Sequence, residues 1–295
     1  MRVVANGVGI EVDDLGPPDG EPLLLVMGLA MQLIAWPDEL LAALCERGFR
    51  VIRFDNRDIG LSQHFDELGV PSLAWAALRY ALRLPLRAPY TLADMASDTV
   101  GVLDALGLAS AHLCGVSMGG MIAQHVAAKH PRRVRSLTLV MTTSGDRRLP
   151  KPARAVQRAL MHRPSAHDPA AALEHMHRLL TMISSPGYRP DPQELRGRVQ
   201  AAMQRSFHPA GASRQLLAVA ADGDRSRLLK HIVAPTRVMH GRDDPLVRVA
   251  AAHDLVAKIA RAEIEVIPGW GHDLPPALMP RLADGIAHNA ARAHG

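Results

Sequence analysis

The pentapeptide Gly115-Val116-Ser117-Met118-Gly119 restricts what this chain can fold into more than any other feature. An apolar run, Ala111 to Cys114, leads into it, and a helical pattern, Met118 to His130, follows. A strand that reverses directly into a helix around a serine is a nucleophile elbow. Two residues before and after the serine the turn leaves no room for bulky side chains, and glycine stands at both places. The turn lifts the Ser117 hydroxyl clear of the backbone. It also aims main-chain N–H groups and a helix N-terminus at the space beside that hydroxyl, where negative charge would develop in acyl transfer. By itself the pentapeptide is equally a strand-to-helix turn without chemistry.

The surroundings of the elbow indicate the fold. Short β-type runs occur at Val8–Val12, Leu23–Met27, Val51–Phe54, Ala111–Cys114, Val134–Met141, Thr236–His240 and Glu263–Ile267. Several are continuous and apolar, as strands covered on both faces are. Helical patterns lie between them, at Pro37–Gly48, Leu92–Leu106, Met118–His130, Val247–Ala260 and Pro275–Arg292. This alternation predicts an α/β chain with a doubly wound, mostly parallel sheet of about eight strands. From 147 to 230 the strand signals vanish. Ala153–His162, Pro169–Ile183, Pro192–Phe207 and Ala212–Ala221 have helical composition there, punctuated by Pro and Gly. The expectation is a core domain of residues 1–146 and 231–295. A helical cap, 147–230, enters after the sixth strand and sits over the carboxyl ends of the strands, where open α/β sheets bind ligands.

A second insertion, 70–89, carries Trp75, Leu78, Tyr80, Leu82 and Leu86, with Arg79, Arg83 and Arg87 spaced by four on one helical face. A lid or a membrane-surface helix is one reading. An amphipathic helix packed on the cap, interrupted by Pro85, is the reading adopted, so membrane-surface contact is not expected.

Composition excludes several classes. Hydrophobic residues make up 48% and charged residues 21% of 295, enough to bury a large core. The net charge is +5, yet no Lys/Arg block is interleaved with aromatics, so nucleic acid is not an expected partner. The two cysteines, Cys45 and Cys114, are in no metal-type spacing and read as reduced, buried thiols. Met1–Gly7 lacks the apolar core of a secretion signal, and Leu23–Met31 is too short to span a bilayer. A cytoplasmic protein is expected, with no transmembrane segment; a homodimer is left open. No G-x-G-x-x-G or P-loop pattern follows a strand, so no nucleotide cofactor is expected. His175 and His177, two apart in a helical stretch, point to different faces and predict no metal.

A nucleophilic Ser117 requires a base, an acid to orient it and donors for an oxyanion, all at strand ends. Gly269-Trp270-Gly271-His272 follows the last strand in a glycine-flanked loop, making His272 the candidate base among fifteen histidines. Gly241-Arg242-Asp243-Asp244-Pro245 closes the preceding strand and offers two acids. Pro245 fixes the backbone after Asp244 and favours it, leaving Asp243 as a solvated or salt-bridged loop residue. The first oxyanion donor is the Met118 N–H. The second is the Leu29 N–H in Met27-Gly28-Leu29, where Gly28 allows close backbone approach. Gly28, Met31 and Trp270 are candidate substrate contacts, and Met27, Leu29, Met31, Met118 and Trp270 suggest an apolar pocket wall. Asp55, Arg57 and Asp58 read as structural salt bridges beside the oxyanion turn.

Taken together, the strand–G-x-S-x-G–helix unit, the late Asp and the G-x-G-H loop resemble the α/β-hydrolase superfamily across nearly the whole chain, in the order Ser117, Asp244, His272. More narrowly, Leu23–Gly28, Trp36-Pro37-Asp38-Glu39, Val51–Asp58 with Gly60-Leu61-Ser62, and Ser117-Met118-Gly119 resemble bacterial esterases close to aclacinomycin methylesterase. The resemblance places the usual acid third after the glycine, at Asp244. It implies hydrolysis of a carboxylic ester through an acyl-enzyme, with Ser117, Asp244 and His272 as triad, Leu29 and Met118 as oxyanion donors, and no cofactor. Met27 stands where many members have His. Lactonases, C–C bond hydrolases, perhydrolases and acyltransferases share the triad. A ligand-binding receptor with slow turnover is the reading from another class. The expected partner is a small-to-medium apolar ester.

Overall fold

The computed structural model describes residues 1–161 and 168–293. Its strands are β1 (Arg2–Ala5), β2 (Val8–Leu15), β3 (Glu21–Val26), β4 (Phe49–Phe54), β5 (Ala111–Val116), β6 (Val134–Val140), β7 (Thr236–Gly241) and β8 (Ala262–Ile267). They form one sheet in the order β1-β2-β4-β3-β5-β6-β7-β8. From β4 through β8 the neighbours are parallel; β2 runs antiparallel to β4 and β1 antiparallel to β2. The helices are α1 (Asp38–Glu46), α2 (Leu73–Ala81), α3 (Leu92–Ala105), α4 (Met118–Lys129), α5 (Arg154–Met161), α6 (Pro169–Ile183), α7 (Pro192–Arg205), α8 (Pro209–Asp222), α9 (Ser226–Leu229), α10 (Ala250–Lys258) and α11 (Met279–Ala291). The helix expected to end at His162 runs to Met161; His162 lies outside the described residues.

Continuous apolar strands need helices on both faces, and side-chain alternation delivers them. Leu24 and Val26 of β3 pack in a cluster with residues of α3, α4 and α10; Leu23 and Leu25 point to the opposite cluster with α1 and α11. Cys114, in the second cluster, is fully buried, and burial pushes its thiol up to about 12.

β1 is absent from the sequence expectations. Its signal is Asn6-Gly7, with φ of 52° and 76°. That left-handed pair is what a two-residue hairpin requires. The residue register Ala5↔Val8 closes that hairpin.

Residues 70–89 depart from expectation. Only Leu73–Ala81 is helical, because Arg83 takes a φ of 57°. There the chain leaves the right-handed α region. Arg83 and Arg87 therefore do not share a helical face with Arg79, whose guanidinium donates to the Pro85 carbonyl. The helix does pack against α8 of the inserted segment, as expected, but Trp75, Leu78, Tyr80 and, just beyond it, Leu82 stay exposed. Among the described residues no helix is long and apolar enough to cross a membrane.

Candidate active site

The strand order reverses direction at β3. β3 lies between β4 and β5, so the loops leaving β3 and β5 meet at a crevice on the carboxyl edge. Ser117 stands at the end of β5 with φ 53° and ψ −117°. That conformation is strained for a residue with a side chain. A Cβ on Gly115 would lie 2.4 Å from the Gly119 carbonyl oxygen, and one on Gly119 only 2.0 Å from that of Val26. Glycine at both positions is thus a packing requirement. The strain is held from β6 and beyond: the Ser117 N–H donates to the Val140 carbonyl (2.9 Å), and the Thr142 hydroxyl donates to the Ser117 carbonyl (2.6 Å). From Ala111 through Ala127 every residue except Ser117 is buried.

His272, in the loop after β8, lies with Nε2 3.1 Å from the Ser117 hydroxyl and Nδ1 2.6 Å from Asp244 Oδ2. Asp244, in the loop after β7, is buried, and its Oδ1 accepts the Leu246 and Val247 N–H groups at 2.8 Å each. Burial by itself raises this carboxyl. The charge and hydrogen bonds of His272 and His240 outweigh it and hold Asp244 well below the usual carboxylate range, as opposite charge and donated hydrogen bonds do. With Oδ2 an acceptor, Nδ1 of His272 carries the proton and Nε2 presents a lone pair to Ser117. That is the protonation pattern of a general base.

An eight-stranded sheet in this order, bearing a serine elbow beside a His–Asp pair, matches a known family over residues 21–275: the alpha/beta hydrolase fold. The chain belongs to it. Among curated relatives, rhodomycin D methylesterase DnrP of Streptomyces peucetius is 28% identical, the match covering 98% of both chains. A 2-hydroxymuconate semialdehyde hydrolase of a Pseudomonas species is also 28% identical, over 92% of this chain and 86% of that one. Among solved structures, a meta-cleavage product hydrolase from Pseudomonas fluorescens superposes with a TM-score of 0.76 at 21% identity, covering 99% of this chain and 98% of its own.

In this hydrolase the turn after β3 approaches the elbow closely: a Cβ on Gly28 would lie 3.4 Å from the Ser117 Cβ. The N–H groups of Leu29 and Met118 have no hydrogen-bond partner among the described residues. Both donors therefore remain available, that of Met118 as one of the free N–H groups of the first helical turn. Met31 is half-buried. Trp270 requires a correction. It is fully buried in the core cluster with α1 and α11, and its indole N–H donates to the Asp273 carbonyl at 2.7 Å. It supports the His272 loop from beneath and cannot touch a ligand. Met27 and the Met118 side chain are likewise buried, so of the expected apolar wall Leu29 and Met31 remain partly exposed.

Asp243 is exposed, and its Oδ2 accepts the Gly269 N–H at 2.7 Å, tying the acid loop to the histidine loop. The last residue of α6 and the segment after it grip the histidine loop as well. The His272 N–H donates to the Ile183 carbonyl (2.7 Å), the Gly271 N–H to the Ser185 hydroxyl (2.9 Å), and that hydroxyl to Asp273. Sequence reasoning missed Thr142 and Ser185, which carry no motif. Asp55, Arg57 and Asp58 form the expected ion pairs, with Arg205, Asp98 and Arg214 respectively.

One group of metal-ligand types occurs among the described residues: His64, Asp66 and His208. The two rings stack at 3.8 Å, 3° from parallel. Their lone pairs lie in the ring planes, so they do not converge on one point. Arg214 lies 3.4 Å from the same Asp66 oxygen. The arrangement is that of a structural clamp between loop and α8.

Proposed function

We propose that this protein is a carboxylic ester hydrolase that works through an acyl-enzyme on Ser117. One observation carries the reading: the unbroken hydrogen-bonded line from the Ser117 hydroxyl through His272 to a buried, ionised Asp244. In this reading His272 Nε2 takes the Ser117 proton as Oγ attacks the ester carbonyl, while Asp244 keeps Nδ1–H in place and stabilises the imidazolium. The Leu29 and Met118 amides bind the tetrahedral oxyanion. His272 then protonates the departing alkoxide, and a water deprotonated by His272 releases the acid. Every step uses the chain's own groups.

Support comes from the methylesterase relative, similar over almost the full length of both chains. We assign residues 147–230 as a cap over the site and 70–89 as a lid-like insertion. The partly exposed Leu29 and Met31 favour a small-to-medium apolar ester. Free Cys45 and Cys114 fit a reducing, cytoplasmic setting. The similarity to a 2-hydroxymuconate semialdehyde hydrolase supports a second reading, C–C bond hydrolysis on the same triad.

The test is a panel of p-nitrophenyl esters of increasing acyl length, run on wild type and Ser117→Ala. Rapid turnover lost with Ser117 supports the ester reading and excludes a slow receptor. Faster cleavage of a vinylogous 1,5-diketone than of any ester moves the assignment to C–C hydrolysis. Absence of both turnover and fluorophosphonate labelling refutes the nucleophile.

A further inference from the structure

The turn that carries Leu29 does not hold its shape unaided. Ala30 has a φ of 61°. Left-handed backbone is unfavourable for an L-residue and persists only when neighbours impose it. Side chains from other elements bond the turn and both its flanks. Asn56 Nδ2 donates to the Met27 carbonyl (2.9 Å), and Asp55 Oδ1 accepts the Leu33 N–H (2.7 Å). Both flank the turn and come from the loop after β4. At the turn itself, the Ala30 N–H donates to Gln215 Oε1 at 3.0 Å. Gln215 belongs to α8, in the insertion between β6 and β7, and is fully buried.

The other end of the Gln215 amide fixes its orientation. Nε2 donates to the Arg57 carbonyl at 2.9 Å, so only the oxygen can face Ala30. Arg57 is itself immobilised by two bonds to Asp98, at 2.5 and 2.6 Å. The Ala30 N–H is in the peptide unit next to the one bearing the Leu29 N–H. Holding the first therefore limits rotation of the second. Two residues further on, α7 also holds the loop: Arg205 Nη1 donates to Gln32 Oε1 (2.7 Å), and Gln32 Nε2 donates to the Ala202 and Ser206 carbonyls. At the Leu29–Ala30 peptide itself the inserted-segment contact is that of Gln215.

We propose that Gln215 is a positioning residue for the oxyanion turn: from the inserted helices it sets the direction of the Leu29 N–H. This rests on the ester-hydrolase reading and deepens it. Residues 147–230 then have a part in rate as well as in substrate choice, because displacement of α8 releases the amide that stabilises the oxyanion. Removing both bonds leaves the Ala30 N–H and the Arg57 carbonyl without partners and lets the turn relax from its strained φ.

The experiment compares Gln215→Met, Gln215→Glu and wild type, with active sites counted by fluorophosphonate titration. Per titrated site, Gln215→Met is expected to lower kcat about 10- to 100-fold with KM within about threefold, because misdirecting one oxyanion donor acts on the transition state. Affinity for a trifluoromethyl ketone, whose hemiketal oxyanion uses the same amides, falls by the same factor. Gln215→Glu, as the protonated acid that a fully buried site favours, keeps an acceptor for Ala30 and a donor for the Arg57 carbonyl, and is expected to exceed Gln215→Met by about fivefold per site. If Gln215→Met does not fold, Gln215→Asn, one methylene too short to span both partners, carries the same expectation. A kcat per site within twofold of wild type overturns the proposal, as does Gln215→Glu performing worse than Gln215→Met, the order a packing role produces. Ester turnover that survives Ser117→Ala overturns the underlying reading instead, and so separates the two failures.

Discussion

Replacing Asp244 by asparagine removes one charge and changes almost no volume, yet it should stop the base. Oδ1 accepts two main-chain N–H groups at 2.8 Å each. These cannot both be left facing an amide NH2 without orphaning two partly buried donors. The asparagine oxygen must therefore take the Oδ1 position, which turns its NH2 toward His272 Nδ1. Nδ1 then has to accept, so the proton moves to Nε2, 3.1 Å from the Ser117 hydroxyl. A histidine already protonated at that nitrogen cannot deprotonate serine. The same change in a chymotrypsin-type triad costs about 10⁴ in kcat, and the geometry here implies a similar loss, roughly 5.4 kcal/mol of transition-state stabilisation. Asp243, whose carboxylate ties down Gly269 and does not touch the ring, provides the control. The assay is p-nitrophenyl butyrate hydrolysis per titrated active site, with Asp243→Asn expected within about threefold of wild type. An Asp244→Asn enzyme that keeps more than a tenth of wild-type kcat, or an Asp243→Asn enzyme that loses as much, would refute the tautomer argument.

Gly119→Ala inserts a Cβ 2.0 Å from the Val26 carbonyl oxygen, so β3 and the elbow must separate. We expect a destabilisation of about 1–3 kcal/mol and at least about 100-fold lower kcat, read by thermal melting and ester turnover; an unchanged melting temperature would show that the elbow has slack. Acid stability depends on the buried Asp58–Arg214 pair. Burial raises the Asp58 carboxyl, but hydrogen bonds from Arg214 and the Phe65 N–H bring it below its ordinary value. A carboxyl depressed in the folded state contributes stability above its unfolded pKa of about 3.9, and loses that contribution as pH falls below it. Wild type should therefore lose melting temperature steeply below about pH 4, and Asp58→Asn should be less stable at pH 7 with a shallower acid slope. Parallel acid slopes for the two proteins would remove Asp58 from this account.

How much of this was legible in the sequence depends on the range of the interactions. The elbow, the alternation of strands and helices, and the glycine-flanked His272 loop are short-range: steric limits within a few residues dictate them, and the structure has them where the sequence puts them. α6 begins at Pro169 and ends at Ile183, as its pattern predicts, because Asp168 caps it and the apolar spacing is local. The errors share a cause. β1 is short and lies at the sheet edge, so only its Asn-Gly turn marks it. Trp270 sits in the right loop, but whether an indole faces a pocket or the core depends on what α1 and α11 leave open beneath it.

The sequence by itself determined that a serine would stand on a strained turn at a sheet edge, with a histidine and an acid at later strand ends, because those features follow from backbone sterics and periodicity. Only the tertiary structure decided which oxygen of Asp244 meets His272, that Thr142 and Ser185 brace the elbow and the His272 loop, and that Gln215 reaches the Ala30 amide. Gln215 is one polar residue on a helix, 185 positions from Ala30. Its role arises because folding removes water from both groups at once, so that each must satisfy the other.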